Sequence, residues 1–201
     1  IMRRAVKVWR LPRNPVANVD RFRTRHSGDI EVFSPEEVWA LVRAAASEMD
    51  GTIFLTAAFT GLRRGEVLAL RWRDVDFEAS TIRVRASYAA GVLSTPKSGK
   101  VRSVPMAPEV ASALARLGQR ERSTGDDDFV FASESGLPIN GDALSKRYEQ
   151  ALAAAGLRRL RFHDLRHTFG TRMIREADIR RVQEWMGHAD IQTTMKYLHY
   201  E

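Results

Sequence analysis

Tyr197 is the side chain whose possible chemistry gives a purpose to many charged residues upstream of it. A tyrosine hydroxyl titrates near pH ~10 and is a weak nucleophile at neutral pH. It attacks phosphorus only where cationic donors stabilise the developing charge. The sequence supplies them. In Phe162-His163-Asp164-Leu165-Arg166-His167, His163 and Arg166 stand one helical turn apart, so an imidazole and a guanidinium share a face. An arginine fork matches two non-bridging phosphate oxygens and stays charged at any working pH, which suits the pair to a phosphodiester. Arg63 and Glu66 have the same i, i+3 spacing where one apolar helix gives way to another. Lys97 and Lys100 project from the polar turn between Ser94 and Lys100. A metal reading of His163 and His167 at i, i+4 has neither an HExxH pattern nor an acidic third ligand beside it. The consecutive carboxylates of Asp126, Asp127 and Asp128 converge poorly on one cation and read as a solvated loop.

The elements that must hold these groups announce themselves by their caps and periodicity. Ser34-Pro35-Glu36-Glu37 is a capping box with proline at the first helical position, opening a helix to about Ala46. Gly51 to Thr60 is nearly continuous apolar sequence, a buried helix stopped by Gly61. Between Asp74 and Pro105 the period changes toward two, predicting strands at Thr81–Arg85, Tyr88–Leu93 and Val101–Pro105 in a small antiparallel sheet. Helices are expected again at Ala107–Arg122, Asn140–Ala155, His163–Glu176, Ile179–Met186 and from Ile191 onward, with Gly187 closing one and Asp190 capping the next. The first residues, to about Trp9, are helical in composition, and Pro12 and Pro15 end that run. A linker carrying Arg21, Arg23 and Arg25 follows, suited either to tracking a phosphate backbone or to plain solvation.

Composition narrows the classes. The 201 residues carry 32 Lys+Arg against 25 Asp+Glu, a formal net charge of +7, which favours a polyanionic partner. With no cysteine, disulfides, zinc fingers and thiol catalysis are excluded. A hydrophobic fraction of 44% without any long apolar run predicts a globular domain and no membrane partner, expected in the cytoplasm near the nucleoid.

Four stretches in order, TGLRRGEVLAL (60–70), TPKSGKVRSVPM (95–106), FHDLRHTF (162–169) and MGHADIQTTMKYLHY (186–200), resemble the catalytic domain of the tyrosine recombinases, the phage integrase family. The resemblance implies a mainly α fold with a small three-stranded antiparallel sheet over residues 34–201, a basic linker at 13–33, and at 1–12 the remnant of a preceding DNA-gripping domain. It implies Arg63 and Arg166 as the phosphate clamp, His163 as the residue that helps activate the tyrosine and stabilise the phosphorane, His188 as a hydrogen-bonding residue packed against the nucleophile's helix, Lys97 as general acid to the leaving 5′ oxygen, Tyr197 as nucleophile, and Glu66 as the carboxylate that orients Arg63. Lys100 shares the turn of Lys97 and remains its alternative. Arg64, Arg102, Arg161 and His167 stand either as DNA contacts or as solvated side chains, with Arg102 and His167 foremost as contacts, and Lys100 is a further candidate DNA contact. The implied activity is site-specific strand cleavage and rejoining through a 3′-phosphotyrosyl ester, without metal, ATP or other cofactor. The implied partners are double-stranded DNA, a homotetramer on that DNA formed from a monomer in solution, and accessory bending or directionality factors. A type IB topoisomerase-like enzyme and a catalytically silent DNA-binding module are the rival expectations. Met186 stands where leucine is commoner, a volume-conserving exchange.

Overall fold

The computed structural model describes residues 2–10, 12, 14, 31–96 and 99–199. After α1 (Met2–Trp9), the capping box forms as the sequence predicts. Ser34 accepts from the Glu37 N–H at 3.2 Å, and Glu37 accepts from the Ser34 N–H at 2.8 Å, opening α2 (Pro35–Arg43). The next helix, α3 (Glu48–Thr60), begins at a Ser47 cap and ends where Gly61 adopts φ +65°. Buried on nearly every face, α3 is the axis of the domain, and it packs on α2, on α5 (Pro108–Leu117) and on α7 (Asp164–Glu176). Two of its buried threonines bond locally, the hydroxyls of Thr52 and Thr60 donating to carbonyls one turn back at 2.8 and 2.6 Å, while buried Asp50 accepts from Arg147 at 2.7 and 3.0 Å.

Between α3 and α5 lie α4 (Arg64–Leu68) and five short strands, β1 (Val75–Asp76), β2 (Thr81–Val84), β3 (Ser87–Ala89), β4 (Val92–Ser94) and β5 (Arg102–Pro105). The antiparallel sheet has three strands as expected, in the order β1-β2-β5, with Ile82 opposite both Val75 and Val104. One expected member differs. The stretch Tyr88–Leu93 folds on itself as a separate hairpin, β3 paired with β4, because Ala90 and Gly91 take φ of +49° and +79° and turn the chain. Gly91 marks the turn, but the apolar residues on both sides of it read as one continuous strand. β1, too short for any periodicity, completes the sheet instead.

The remaining helices are α6 (Gly141–Ala154), α8 (Ile179–Met186) and α9 (Ile191–Met195), the last running into a 3₁₀ turn at Lys196–His199. A large core joins α2 through α7. A smaller one, made of Phe169, Val182, Met186 and Tyr197, ties α7 and α8 to the final turn. Phe54, Tyr148 and Phe162 meet edge to face, with centroids 5.3 to 6.3 Å apart, and so anchor the residue that precedes His163. Among the described residues, no helix is long and apolar enough to cross a membrane.

Candidate active site

The site is organised by the C-terminal end of α8. Gly187 adopts φ +60° and ψ +44°, and the N–H groups of Gly187 and His188 donate back to Glu184 and Gln183 at 3.0 and 3.1 Å. Carbonyls at such an end lack partners within the helix and carry the negative end of its dipole. Three arginines meet them in succession: Arg102 Nε donates to the Trp185 carbonyl at 2.7 Å, Arg166 Nη2 to that of Met186, and Arg63 Nη2 to that of Gly187 at 3.1 Å. Guanidinium groups so close would repel one another. Glu66, 2% exposed, offsets that repulsion. One of its oxygens accepts from Arg63 Nη1 and Arg102 Nη1, both at 3.0 Å, and the other from the Arg63 backbone N–H at 2.8 Å and Arg102 Nη2 at 2.7 Å. Burial would raise the Glu66 carboxyl, but the hydrogen bonds and charge of Arg102, followed by those of Arg63, hold it below the usual carboxylate range.

Arg166 is 2% exposed and also donates through Nη1 to the Gly61 carbonyl, the C-cap of α3. Burial and then Arg63 push it down to about 9, which leaves it charged at neutral pH. His163 stands at the N-terminus of α7, one turn before Arg166. Burial, then His167 and Arg166, lower it to about 4, and burial with Arg166 lowers His188 to about 3. Both are neutral imidazoles at pH 7, able to hydrogen-bond a phosphate oxygen without adding charge. Nδ1 of His188 is 2.9 Å from the Thr194 hydroxyl, and its ring lies parallel to that of Tyr197 at 6.3 Å.

Tyr197 is docked inside the domain, 2% exposed, with its hydroxyl 2.7 Å from His167 Nδ1. Its ring fits only because α7 carries glycine at 170: a Cβ there would lie 2.7 Å from Tyr197 Cζ. Burial pushes the phenol up to about 12, with Arg166 and then Arg63 pulling against it.

Arg63, Glu66, His163, Arg166, His188 and Tyr197 therefore converge. Lys97, Arg21, Arg23 and Arg25 lie outside the described residues. Lys100 lines a cleft of about 570 Å³ together with Arg102, Gly187 and His188. A second cleft of about 540 Å³ is lined by His163 together with Arg64 and Arg161. Arg64 donates to Ser145 Oγ at 2.6 Å, and Arg161, with 80% of its side chain exposed, pairs with Asp164 at 2.9 Å. The two foremost candidates for DNA contact have other engagements. The Arg102 side chain is 7% exposed, its guanidinium turned inward to Glu66 and Trp185, and His167 meets the tyrosine. Sequence reasoning passed over Gly170, although a glycine in the middle of a helix, about 1 kcal/mol worse than alanine, is itself a signal of close approach. Among the described residues, no group of three or more His, Asp or Glu side chains could hold a metal ion.

The model of the phage integrase family matches residues 31–201. The chain is 29% identical over 192 residues to the tyrosine recombinase XerC-like protein of Caldanaerobacter subterraneus subsp. tengcongensis, covering 83% of this chain and 49% of that one. It is 34% identical over 144 residues to tyrosine recombinase XerC of Xanthomonas campestris pv. campestris, covering 71% and 41%. The chain thus spans about half the length of the curated relatives it matches. Among solved structures, the XerA recombinase superposes with a TM-score of 0.68 at 32% identity, over 84% of this chain and 60% of that one. The Tn1549 transposon integrase in complex with a circular intermediate DNA shares the fold, with a TM-score of 0.73 at 23% identity over 97% of this chain and 70% of that one.

Proposed function

The chain belongs to the phage integrase family, and on that premise we propose that it is the catalytic part of a site-specific DNA recombinase. Tyr197 attacks a phosphodiester of double-stranded DNA, forms a 3′-phosphotyrosyl ester and releases a 5′ hydroxyl. A second 5′ hydroxyl then attacks the ester and reseals the strand, so the bond energy is conserved and no ATP is needed.

The observation that carries this reading is the assembly at the end of α8, where carbonyls of consecutive residues hold Arg63 and Arg166 close enough to the Tyr197 hydroxyl to oppose the rise that burial gives its pKa. Pre-aimed cations in a site with little water stabilise equatorial charge in the transition state at no reorganisation cost. Arg63 and Arg166 take the two non-bridging oxygens, while neutral His163 and His188 add hydrogen bonds. The proton for the leaving 5′ oxygen comes from Lys97 on the turn after β4, or from Lys100 on the same turn. Exposure of Val8 at 60% and Trp9 at 74% suits α1 to a preceding DNA-gripping domain, with residues 13–33 as a basic linker and 34–201 as the catalytic domain. On DNA four copies assemble around two duplexes, from a monomer in solution, with bending or directionality factors as accessory partners and the nucleoid as the place of action.

The test begins with selection of a bound duplex from a random-sequence library. A nicked form of that duplex, which after cleavage loses the short fragment bearing the released 5′ hydroxyl, should trap the wild-type chain in an SDS-resistant adduct. Tyr197→Phe should bind the same duplex and trap nothing. Adduct at the wild-type level from that variant would overturn the assignment, and supercoil relaxation without site preference would replace it with a topoisomerase-like activity.

A further inference from the structure

The Tyr197 hydroxyl meets the second histidine of the FHDLRHTF stretch, not the first. His167 Nδ1 lies 2.7 Å from the phenol oxygen, with the two rings 5.7 Å apart, so the nucleophile is already in hydrogen-bond contact with a possible proton acceptor. Which atom donates depends on the histidine tautomer. Nε2 of the same ring faces Asp164 Oδ1 at 3.9 Å, too far for a hydrogen bond but near enough for the carboxylate to favour a proton on that nitrogen. Nδ1 then carries the lone pair and the phenol is the donor. Carboxylate, imidazole and hydroxyl stand in the order by which other enzymes activate a weak hydroxyl nucleophile.

We propose that His167 is the general base for Tyr197, with Asp164 holding its tautomer; this rests on the recombinase reading above. As the phenol oxygen bonds to phosphorus, its proton passes to His167 Nδ1. The bond from phosphorus to the 5′ oxygen breaks, and that oxygen takes a proton from the lysine of the turn after β4. On resealing, the incoming 5′ hydroxyl gives its proton back to that lysine as its oxygen bonds to phosphorus and displaces the phenolate, which recovers its proton from His167. The need for a base follows from the environment of the tyrosine. With a pKa of about 12, its phenolate fraction at pH 7 is on the order of 10⁻⁵. His167 is lowered by burial first; Asp164 opposes that, while Arg166, Arg161 and Lys196 reinforce it. It is therefore unprotonated and ready to accept at neutral pH. His163, whose ring meets that of His167 edge-on at 5.1 Å, and His188 across the tyrosine are both neutral there, which leaves His163 for the phosphate.

The experiment measures adduct formation on the selected nicked duplex from pH 6 to 9. His167→Asn keeps an amide near the place of Nδ1 but cannot take a proton. It should bind DNA within about twofold of wild type, cleave roughly 10²–10⁴-fold more slowly at pH 7, and speed up about tenfold per pH unit where the wild type is flat. A duplex with sulfur replacing the scissile 5′ oxygen, whose thiolate leaves without a proton, should not rescue it. Wild-type rate and profile in His167→Asn, or rescue by the sulfur duplex, would overturn the proposal. So would the hydroxide dependence appearing in His163→Asn and not in His167→Asn. A measurement that needs no variant is ¹⁵N NMR of the histidine-labelled wild-type chain, which should show His167 protonated on Nε2 alone; a proton on Nδ1 at pH 7 would overturn it. Adduct from the wild type with an unaffected His167→Asn sinks this proposal alone, whereas no wild-type adduct at any pH sinks the recombinase reading as well.

Discussion

Glu66→Gln isolates the group that lets several arginines share one helix end. The exchange preserves shape, but it places an NH₂ where the Arg63 N–H or an Arg102 Nη donates, donor against donor, and strips the charge facing both guanidinium groups. Arg102, with 7% of its side chain exposed, is left as an uncompensated buried cation, while Arg63, 25% exposed, is better screened. Removing one partner of a buried pair costs about 3–5 kcal/mol. At ~2–4 °C per kcal/mol for a chain of this size, the unfolding midpoint should fall by roughly 6–20 °C. The assay is thermal unfolding by circular dichroism at pH 7. Because the folded Glu66 pKa is lowered, its contribution is complete above the ordinary carboxylate pKa and is lost as pH falls through the folded value. Wild type and variant should therefore converge in acid. Adding Arg102→Met should recover part of the loss, since an apolar side chain replaces the stranded cation. A midpoint lowered by less than ~2 °C, or a double variant as unstable as the sum of the single ones, would refute the reasoning.

Other consequences are as testable. Gly170→Ala puts a Cβ 2.7 Å from Tyr197 Cζ and 3.0 Å from Met186 Cε, so the tyrosine must leave its dock. Adduct formation should fall by on the order of 100-fold with DNA affinity unchanged; an undiminished rate would mean the docked position is irrelevant to cleavage. His163 and His188, neutral when folded with pKa values of about 4 and 3, take up protons on unfolding below the ordinary histidine pKa of ~6.5. Stability is therefore full above that value and declines as pH falls toward the folded values, so the urea midpoint should drop between pH 7 and 5, less steeply in His163→Gln; a flat wild-type midpoint would contradict the burial that causes those shifts. Binding to the selected duplex should weaken steeply with salt, log K falling linearly against log [salt], whereas salt-insensitive affinity would deny the phosphate contacts.

The capped helices were legible because their signals are local. Ser34 with Glu37, Gly61, Gly187 and Asp190 each act within one turn, and each cap lies where the sequence places it. The separate hairpin was missed, since its turn needs positive φ at Ala90 as well as at Gly91, and only the glycine signals it. At the site, residue types and spacing brought out the His163–Arg166 and Arg63–Glu66 pairs and the resemblance to the tyrosine recombinases added His188 and the role of Tyr197, whereas the partners those residues choose are decided by packing. Arg102 and His167 stood foremost among the residues read as phosphate contacts or solvated side chains. Their actual partners, Glu66 and the Trp185 carbonyl for one and Tyr197 for the other, lie 30 or more residues away in the chain. A main-chain carbonyl carries no sequence signature, and so the helix end that gathers the arginines could not be foreseen.

The most direct test of the central claim is chemical identification of the residue that holds the DNA. Trypsin cuts after Lys196, so the adduct should yield a peptide that begins at Tyr197 and also contains Tyr200. Tandem mass spectrometry is predicted to find the 3′-terminal nucleotide esterified to Tyr197. Attachment to Tyr200, to a residue outside that peptide, or through a 5′ phosphate would contradict the account.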